Sequence, residues 1–347
     1  MLQRYLIFWL IVSSLAALWW PVWLPGVPDV FVASAPWLSA LIAITMFAIG
    51  WMLPQDEVRQ LVRRWPSVLG GTALQYSTMP LLACAMGYLW GLSGDYWIGL
   101  VMVGCVPGAM ASNVLTFNAG GNTSYSVSLT TSATLLSPLA VPLVLGLALH
   151  TDQSVDVWVL VDEATRKLLM TVVVPVVGGH LLARRFRDWQ SVGTRLGSIV
   201  ANLAILWIIA VVVALNRERL APASGAVPLA RLLPALLMVN VGGYLCGYAG
   251  GLAMRLPDPM RRALMLEIGM QNAGLGAFLA SSLFMGRDAI AIAPAMYAFG
   301  CMLTGTLLAG VWRAAWPAAP RKPPGSPASA EEPASSSTPV STSTFLR

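Results

Sequence analysis

The stretch Glu267-Ile-Gly-Met-Gln-Asn-Ala-Gly-Leu-Gly276 holds one acid, two amides and three glycines within ten consecutive residues. It lies in 263–285, a segment of membrane-spanning length that this single acid interrupts. A charged group near the bilayer centre costs at least about 2.5–3.5 kcal/mol, so such groups usually face the interior of a helical bundle. The stretch predicts a broken helix with a buried carboxylate. The alternative is that Glu267 lies at the membrane edge, where its side chain extends to the interface or pairs with Arg261 or Arg262.

A second stretch of the same kind, GCVPGAMASN, occupies 104–113 in another apolar segment. Pro107 removes a backbone donor and crowds the preceding turn, and glycines flank it. One interpretation is a kinked helix with small residues for packing. The other is a second broken helix, because irregular backbone at membrane depth is tolerated where it is buried in protein or lines a cavity.

The composition indicates a polytopic membrane protein. Of the 347 residues, 10% are charged and 57% hydrophobic, and the mean hydropathy is +0.70. A soluble domain usually carries about 25% charged residues. The balance therefore excludes a cytosolic enzyme, a nucleic-acid-binding protein and a disordered protein. The four cysteines lack CxxC spacing, so neither a disulfide framework nor a zinc site is expected.

Apolar runs predict ten spanning helices, since each needs about 20 apolar residues. They lie near 5–24, 36–53, 67–91, 95–117, 124–148, 165–183, 196–215, 230–254, 262–285 and 289–313. Fifteen of the 21 Lys and Arg residues fall on the side of the N-terminus, which predicts that both termini are cytoplasmic. The end of the chain, 317–347, is rich in Pro, Ala, Ser and Thr and predicts a disordered cytoplasmic tail.

The two interrupted segments occupy corresponding places in the predicted topology. Ten spans divide into five and five, and the interrupted segments are then the fourth span of each half. They would cross the membrane in opposite directions. This is the relation expected for inverted repeats, in which paired broken helices mark a binding site near the bilayer midplane.

The polar atoms of these segments favour a monovalent cation, because one carboxylate is accompanied by many neutral oxygens. The fifth span adds hydroxyls, and Ser126 and Thr130 are four residues apart and share a helix face. The alternative for these hydroxyls is bonding to their own backbone or close helix packing. Gln75, a single amide in the apolar third span, is either a ligand or a link between helices.

Together these residues resemble the bile acid:sodium symporter family over nearly all of 5–315. The resemblance is most specific in 104–113, in GNTSYSVSLTTSATLLSPL (121–139) and in EIGMQNAGL (267–275). It implies an all-α polytopic membrane protein with ten transmembrane helices in two inverted five-helix repeats, with helices 4 and 9 broken and crossing. The implied units are panel helices 1–2 in 1–53, core helices 3–5 in 54–150, panel helices 6–7 in 151–216 and core helices 8–10 in 217–316.

The resemblance also implies two sodium ions and a bound organic anion. The residues implied for the first sodium ion are Ser112, Asn113, Ser126, Thr130 and Glu267. Those implied for the second are Gln75, Glu267 and Gln271, with the carbonyls of Ile268 and Met270. Asn113, Asn272 and Met110 are the expected contacts of the anion, which would lie between core and panel. Residues 298–303 are apolar where some relatives carry a His-Asn pair, so the cavity is expected to be more apolar there.

The function predicted from these features is sodium-coupled symport of a small organic anion, bile-acid-like, pantoate-like or a keto acid. The protein would be integral to a bacterial inner (plasma) membrane, with the lipid bilayer and the anion as its partners and no obligate protein partner. One alternative is a proton-coupled or uncoupled carrier of organic or metalloid anions, and another is a receptor without transport. The sequence contains no HExxH or GxSxG motif, and no catalytic residue is expected.

Overall fold

The computed structural model describes residues 6–54, 59, 63–150, 156–220 and 228–315. The predicted tail at 317–347 lies outside the described residues. Within the described ranges the protein is helical and has no β-strand. Its main helices are α1 (Leu6–Trp23), α2 (Val30–Met52), α3 (Trp65–Leu89), α4 (Gly94–Cys105), α5 (Ala111–Asn118), α6 (Thr123–Leu149), α7 (Val157–Arg185), α8 (Arg187–Leu215), α9 (Leu229–Ala253), α10 (Asp258–Gly269), α11 (Ala273–Leu283) and α12 (Asp288–Ala314).

Seven helices in the described part of the chain are long and apolar enough to cross a membrane: α1, α2, α6, α7, α8, α9 and α12. The 25-residue helix α3 is less apolar than these seven. The two sequence stretches that predicted broken helices each form a pair of shorter helices, α4 with α5 and α10 with α11. The protein is therefore an integral membrane protein with a bundle of apolar helices, two of which are interrupted.

Helix α7 begins at Val157, before the start that the apolar runs predicted for the sixth span. The apolar runs did not include this first part of the helix because it contains charged residues. Asp162 pairs with Arg166, and Glu163 pairs with Lys167, each across one helical turn. A π-helical turn, Leu169–Val173, interrupts the regular helix ahead of Pro175. Pro175 has no N–H to donate to the preceding turn of the helix. A local change in the pattern of backbone hydrogen bonds is therefore expected just before it.

The helices form two sets of neighbours. In one set α2 packs against α8 and the second half of α7, and α1 packs against α8. Small residues permit the close approach of α2 and α7, since a side chain on Gly50 would meet the backbone of Val176. In the other set α9 packs against α3 and α10, α3 packs against α4 and α6, and α12 packs against α4 and α11. The two interrupted helices both belong to this second set.

Candidate functional site

The two helix breaks lie against each other in the interior of the second set. The backbone N–H of Ala109 donates to the Met270 carbonyl at 2.8 Å, and the N–H of Asn272 donates to the Pro107 carbonyl at 2.8 Å. These two bonds form a short antiparallel bridge around Gly108 and Gln271. A break in a buried helix leaves polar backbone groups without partners, which is costly away from water. Here the backbone groups that one break leaves free form hydrogen bonds with those of the other break.

Glu267 stands beside this crossing and is fully buried, with 0% of its surface exposed. Its carboxylate accepts a hydrogen bond from Ser112 Oγ at 2.5 Å and one from Thr130 Oγ1 at 2.7 Å. Gly108 makes room for it, because a Cβ atom there would come within 2.7 Å of the Glu267 carboxylate carbon. A lone glycine of this kind is used where a side chain would obstruct a close approach.

In this structure Glu267 is buried and hydrogen-bonded to hydroxyl groups, and within the described residues it forms no ion pair with Arg261 or Arg262. Arg261 and Arg262 both pair with Asp258, at the start of α10. Glu267 lies nine residues further along the helix than Asp258, and its carboxylate accepts from the hydroxyl groups of α5 and α6. The nearest partners of the carboxylate are therefore neutral oxygens.

The remaining residues predicted for the first cation lie around the same point. Thr130 Oγ1 is 3.5 Å from Asn113 Oδ1 and donates to the Ser126 carbonyl at 3.1 Å. The Ser126 hydroxyl accepts from Thr116 Oγ1 at 3.3 Å. Side chains from α5, α6 and α10 thus converge on one buried polar cluster. The backbone bond of Thr130 also bears out part of the alternative interpretation, in which such hydroxyls bond to their own helix.

The residues predicted for the second cation, apart from Glu267, form a second polar group at the break that follows α10. Gln75 Nε2 is 3.5 Å from Gln271 Oε1, and both side chains are buried. Gln271 Nε2 donates to the Ile268 carbonyl at 2.6 Å, and the Met270 carbonyl accepts from Ala109. Each carbonyl keeps a second lone pair for a further partner. Among the described residues, Glu267 makes no hydrogen bond to either glutamine.

A cavity of about 890 Å³ lies between the two sets of helices and reaches the crossing. All three residues predicted to contact the anion, Met110, Asn113 and Asn272, line it. The starts of α5 and α11 border it as well, and helix N-termini favour negative charge. Most of the lining is apolar, and Arg313 is the only charged side chain that lines it within the described ranges. From the apolar run 298–303, Met302 alone lines the cavity.

Three polar residues near the second break were not predicted. The side chains of Asn240 and Tyr297 both donate to the Gly269 carbonyl at 2.7 Å, at the end of α10. Thr304 Oγ1 donates to Asn240 Oδ1 at 2.6 Å. They satisfy a carbonyl that the break leaves free. Asn240 is a single amide in an apolar span, the same signal that selected Gln75, whereas a tyrosine and a threonine in a span give no comparable signal.

The arrangement favours binding of a monovalent cation next to a pocket for an anion. A single carboxylate with several neutral oxygens is a hard-ligand set of low charge. The described residues contain no cluster of three or more His, Cys, Asp or Glu side chains that would suit a transition metal. The adjacent pocket is mainly apolar and carries a few polar groups, which is typical of a site for a small organic molecule.

Comparison with known proteins finds sodium-dependent transporters among the relatives of this chain. The chain is 32% identical over 287 residues to an uncharacterized sodium-dependent transporter of Bacillus subtilis, covering 82% of this chain and 85% of the relative. It is 29% identical to a probable chloroplastic sodium/metabolite cotransporter of Arabidopsis thaliana, covering 81% of this chain and 68% of the relative. It is 27% identical to the sodium/bile acid cotransporter 4 of Homo sapiens, covering 69% of this chain and 54% of the relative.

These relatives are transporters, which identifies the protein as a membrane transporter and not an enzyme. The sequence profile of the sodium bile acid symporter family matches residues 39–222. The match includes α4, α5 and α6, which supply the first break and the hydroxyl groups around Glu267. The identity with the transporter of Bacillus subtilis extends over most of both chains. The chain belongs to the sodium bile acid symporter family.

Proposed function

We propose that the protein is a secondary active symporter that couples the entry of sodium to that of a small organic anion. The observation that carries this proposal is the buried carboxylate of Glu267, held by Ser112 and Thr130 where the two breaks cross. An isolated buried carboxylate is unstable in its charged form, and a bound cation removes that penalty. Sodium-dependent relatives support sodium as the ion.

Two sodium ions are proposed, one for each polar group beside the crossing. The first would be bound by Ser112, Asn113, Ser126, Thr130 and Glu267. The second would be bound by Gln75, Gln271, Glu267 and the carbonyls of Ile268 and Met270, after rotation of the Gln271 amide away from Ile268. Two sodium ions with one monovalent anion carry one net positive charge inward. That charge gains about 2.3 kcal/mol per 100 mV of membrane potential.

We propose ten spans in two inverted repeats, in which α4 with α5 and α10 with α11 each count as one span. The packing of α1, α2, α8 and the second half of α7 as one set supports a panel unit formed by 1–53 and 151–216, and the first half of α7 packs against α6 of the second set. The second set supports a core unit formed by 54–150 and 217–316. The excess of positive charge on the N-terminal side supports cytoplasmic termini in a bacterial plasma membrane.

The substrate is proposed to bind in the cavity between the two sets. A carboxylate would lie near Asn113 and Asn272, where the starts of α5 and α11 provide a positive potential. Met110 would contact the apolar body of the substrate. The apolar lining fits an anion with a hydrocarbon skeleton, such as a bile-acid-like, pantoate-like or keto acid.

We propose that this arrangement of the helices is a state open toward the cytoplasm. The cavity extends to the side where α1 begins and α12 ends, since Leu6, Pro54 and Arg313 line it. On the opposite side the two sets contact each other: Lys167 Nζ donates to the Ser282 carbonyl at 2.7 Å, and Asn216 donates to the Asp288 carbonyl at 3.1 Å. Transport would require these contacts to break when the opposite side opens.

The decisive experiment is uptake of labelled carboxylates into proteoliposomes, with either a sodium or a choline gradient and with either a pH gradient or none. Sodium symport requires uptake that depends on the sodium gradient and disappears in Glu267→Gln. Uptake driven equally well by a pH gradient in choline would establish the proton-coupled carrier. Uptake that responds to neither gradient would establish an uncoupled carrier of organic or metalloid anions.

A further inference from the structure

Arg262 connects the two helices whose side chains meet at Glu267. It lies on α10, five residues before Glu267, and is 6% exposed. Its Nη1 atom donates to the carbonyl of Ala119, at the end of α5, at a distance of 3.0 Å. At the other end of the same helix pair, Ser112 of α5 donates to Glu267 of α10. The packing of α5 on α10 is thus fixed at both ends.

The surroundings of Arg262 hold it in a single position. Its guanidinium forms an ion pair with Asp258 and lies 4.5 Å from the centre of the Trp312 ring on α12. The Ala119 carbonyl belongs to the negative end of the α5 dipole, which a cation stabilises. Gly120 allows the turn after α5, because its φ of 66° is in the left-handed region that favours glycine.

A second arginine makes a comparable connection between the other two helices of the crossing, α11 and α4. Arg287, after the end of α11, donates through Nε to Asp95 Oδ1 at 2.8 Å, and Asp95 is in the first turn of α4. The first connection joins the end of α5 to the start of α10. The second joins the end of α11 to the start of α4. Both crossing helix pairs are therefore fastened at the ends remote from the breaks.

We infer that Arg262, together with the Arg287–Asp95 pair, is a positioning residue for the cation site. This inference rests on the proposed function, because it assumes that sodium binds at Glu267. Ligands of a binding site must be held within about 0.5 Å of their working geometry. Within the described residues, two backbone hydrogen bonds join the breaks, so α5 and α10 need further contacts to keep Ser112 in register with Glu267.

The chain provides a matched control in the neighbouring arginine. Arg261 shares Asp258 as a partner, at 3.4 Å, and its guanidinium lies over the Tyr248 ring. Among the described residues it makes no hydrogen bond to α5. Loss of Arg261 removes a similar charge from the same helix turn but leaves the connection between α5 and α10 intact.

The test is a thermal-shift titration of the purified full chain with NaCl, at constant ionic strength with choline chloride. The wild type should be stabilised by sodium with a defined midpoint concentration. In Arg262→Gln this midpoint should rise at least tenfold, in Arg262→Lys it should return to within about threefold of wild type, and in Arg261→Gln it should be unchanged. The melting temperature in choline alone reports any general loss of stability separately.

A second pair of variants keeps the test informative if Arg262→Gln does not fold. Asp95→Asn should raise the sodium midpoint, and the exchange Asp95→Arg with Arg287→Asp should restore it. Unchanged midpoints in Asp95→Asn and Arg262→Gln, or equal rises in Arg262→Gln and Arg261→Gln, would overturn the inference. A wild type that shows no sodium response would instead refute the proposed function.

Discussion

The hydroxyl of Thr130 lies 2.7 Å from a carboxylate oxygen of Glu267, although 137 positions separate the two residues in the chain. Thr130 is in the first third of a continuous helix, α6, and Glu267 is near the end of α10, the first part of an interrupted one. The continuous helix supplies a fixed hydroxyl group, and the break in the other helix lies directly after Glu267. The hydrogen bond between Thr130 and Glu267 therefore joins the continuous helix α6 to the interrupted helix.

Replacement of Thr130 by valine should weaken sodium binding without unfolding the protein. Valine keeps the shape of threonine but removes the oxygen that faces Glu267. A hydrogen bond to a charged group contributes about 1.5–3 kcal/mol, and a lost cation ligand should cost a similar amount, which corresponds to about a ten- to hundredfold rise in the sodium midpoint. The measurement is the thermal-shift titration with NaCl.

The control for this variant is the next residue in the same helix. Thr131 is also buried, but its hydroxyl has no hydrogen-bond partner in the described part of the chain. Thr131→Val should leave the sodium midpoint unchanged, and it should not lower the melting temperature. Equal effects of the two variants would show that the threonine next to Glu267 has no special role in sodium binding.

Replacement of Gly108 by alanine should destabilise the crossing itself. The added methyl group would collide with the Glu267 carboxylate, and overpacking of this kind typically costs about 1–3 kcal/mol. We expect a lower melting temperature in choline and a loss of the sodium response. Gly178→Ala is the control, because a methyl group added there would have no neighbouring atom within 4 Å among the described residues. Alanine there should be neutral or stabilise α7 by up to about 1 kcal/mol.

Local sequence signals predicted the helices and both breaks well. Apolar runs of sufficient length mark spanning helices, and Pro107 among glycines marks the first break. The second break contains no proline, and its signal was the unusual density of Glu267, Gln271 and glycines. The apolar runs missed the first half of α7, because Asp162 and Glu163 lie within that part of the helix.

The site was predicted less completely, because its supporting contacts are between distant segments. The polar residues around Glu267 stood out as individual polar groups in apolar spans. No local sequence pattern predicts the backbone bridge between the two breaks. The same is true of the hydrogen bond from Tyr297 to the Gly269 carbonyl. A tyrosine in a membrane helix is ordinary, and only the three-dimensional structure shows that its hydroxyl faces a freed carbonyl.

Blocking the cavity should separate substrate transport from sodium binding. Ala201 of α8 lines the cavity, so that Ala201→Trp would fill space that the substrate needs. We expect carboxylate uptake to fall at least tenfold while the sodium midpoint stays unchanged, since Glu267 lies outside the cavity lining. Leu203→Trp is the control, because Leu203 is on the same helix but 51% exposed on its outer surface. Normal uptake by Ala201→Trp would exclude this cavity as the substrate path.

Removal of the Lys167 side-chain charge should shift the protein away from the conformation of this structure, in which the cavity is open on the side where α1 begins. Lys167 of α7 donates to the Ser282 carbonyl at the end of α11, on the side opposite the cavity. Opening of that side would separate Lys167 from Ser282, so loss of the contact should destabilise the state of this structure and not the other one. A loss of about 1.4 kcal/mol changes the ratio of the two states tenfold.

The shift can be measured by alkylation of a cysteine placed in the cavity. In a variant without the four native cysteines, Ser198→Cys lines the cavity and should react quickly with a water-soluble maleimide. Addition of Lys167→Met should slow this reaction several-fold. Arg166→Gln is the matched control, because Arg166 is the preceding residue and pairs with the exposed Asp162 on its own helix. If both variants react at the rate of the parent, the Lys167 contact does not hold the opposite side closed.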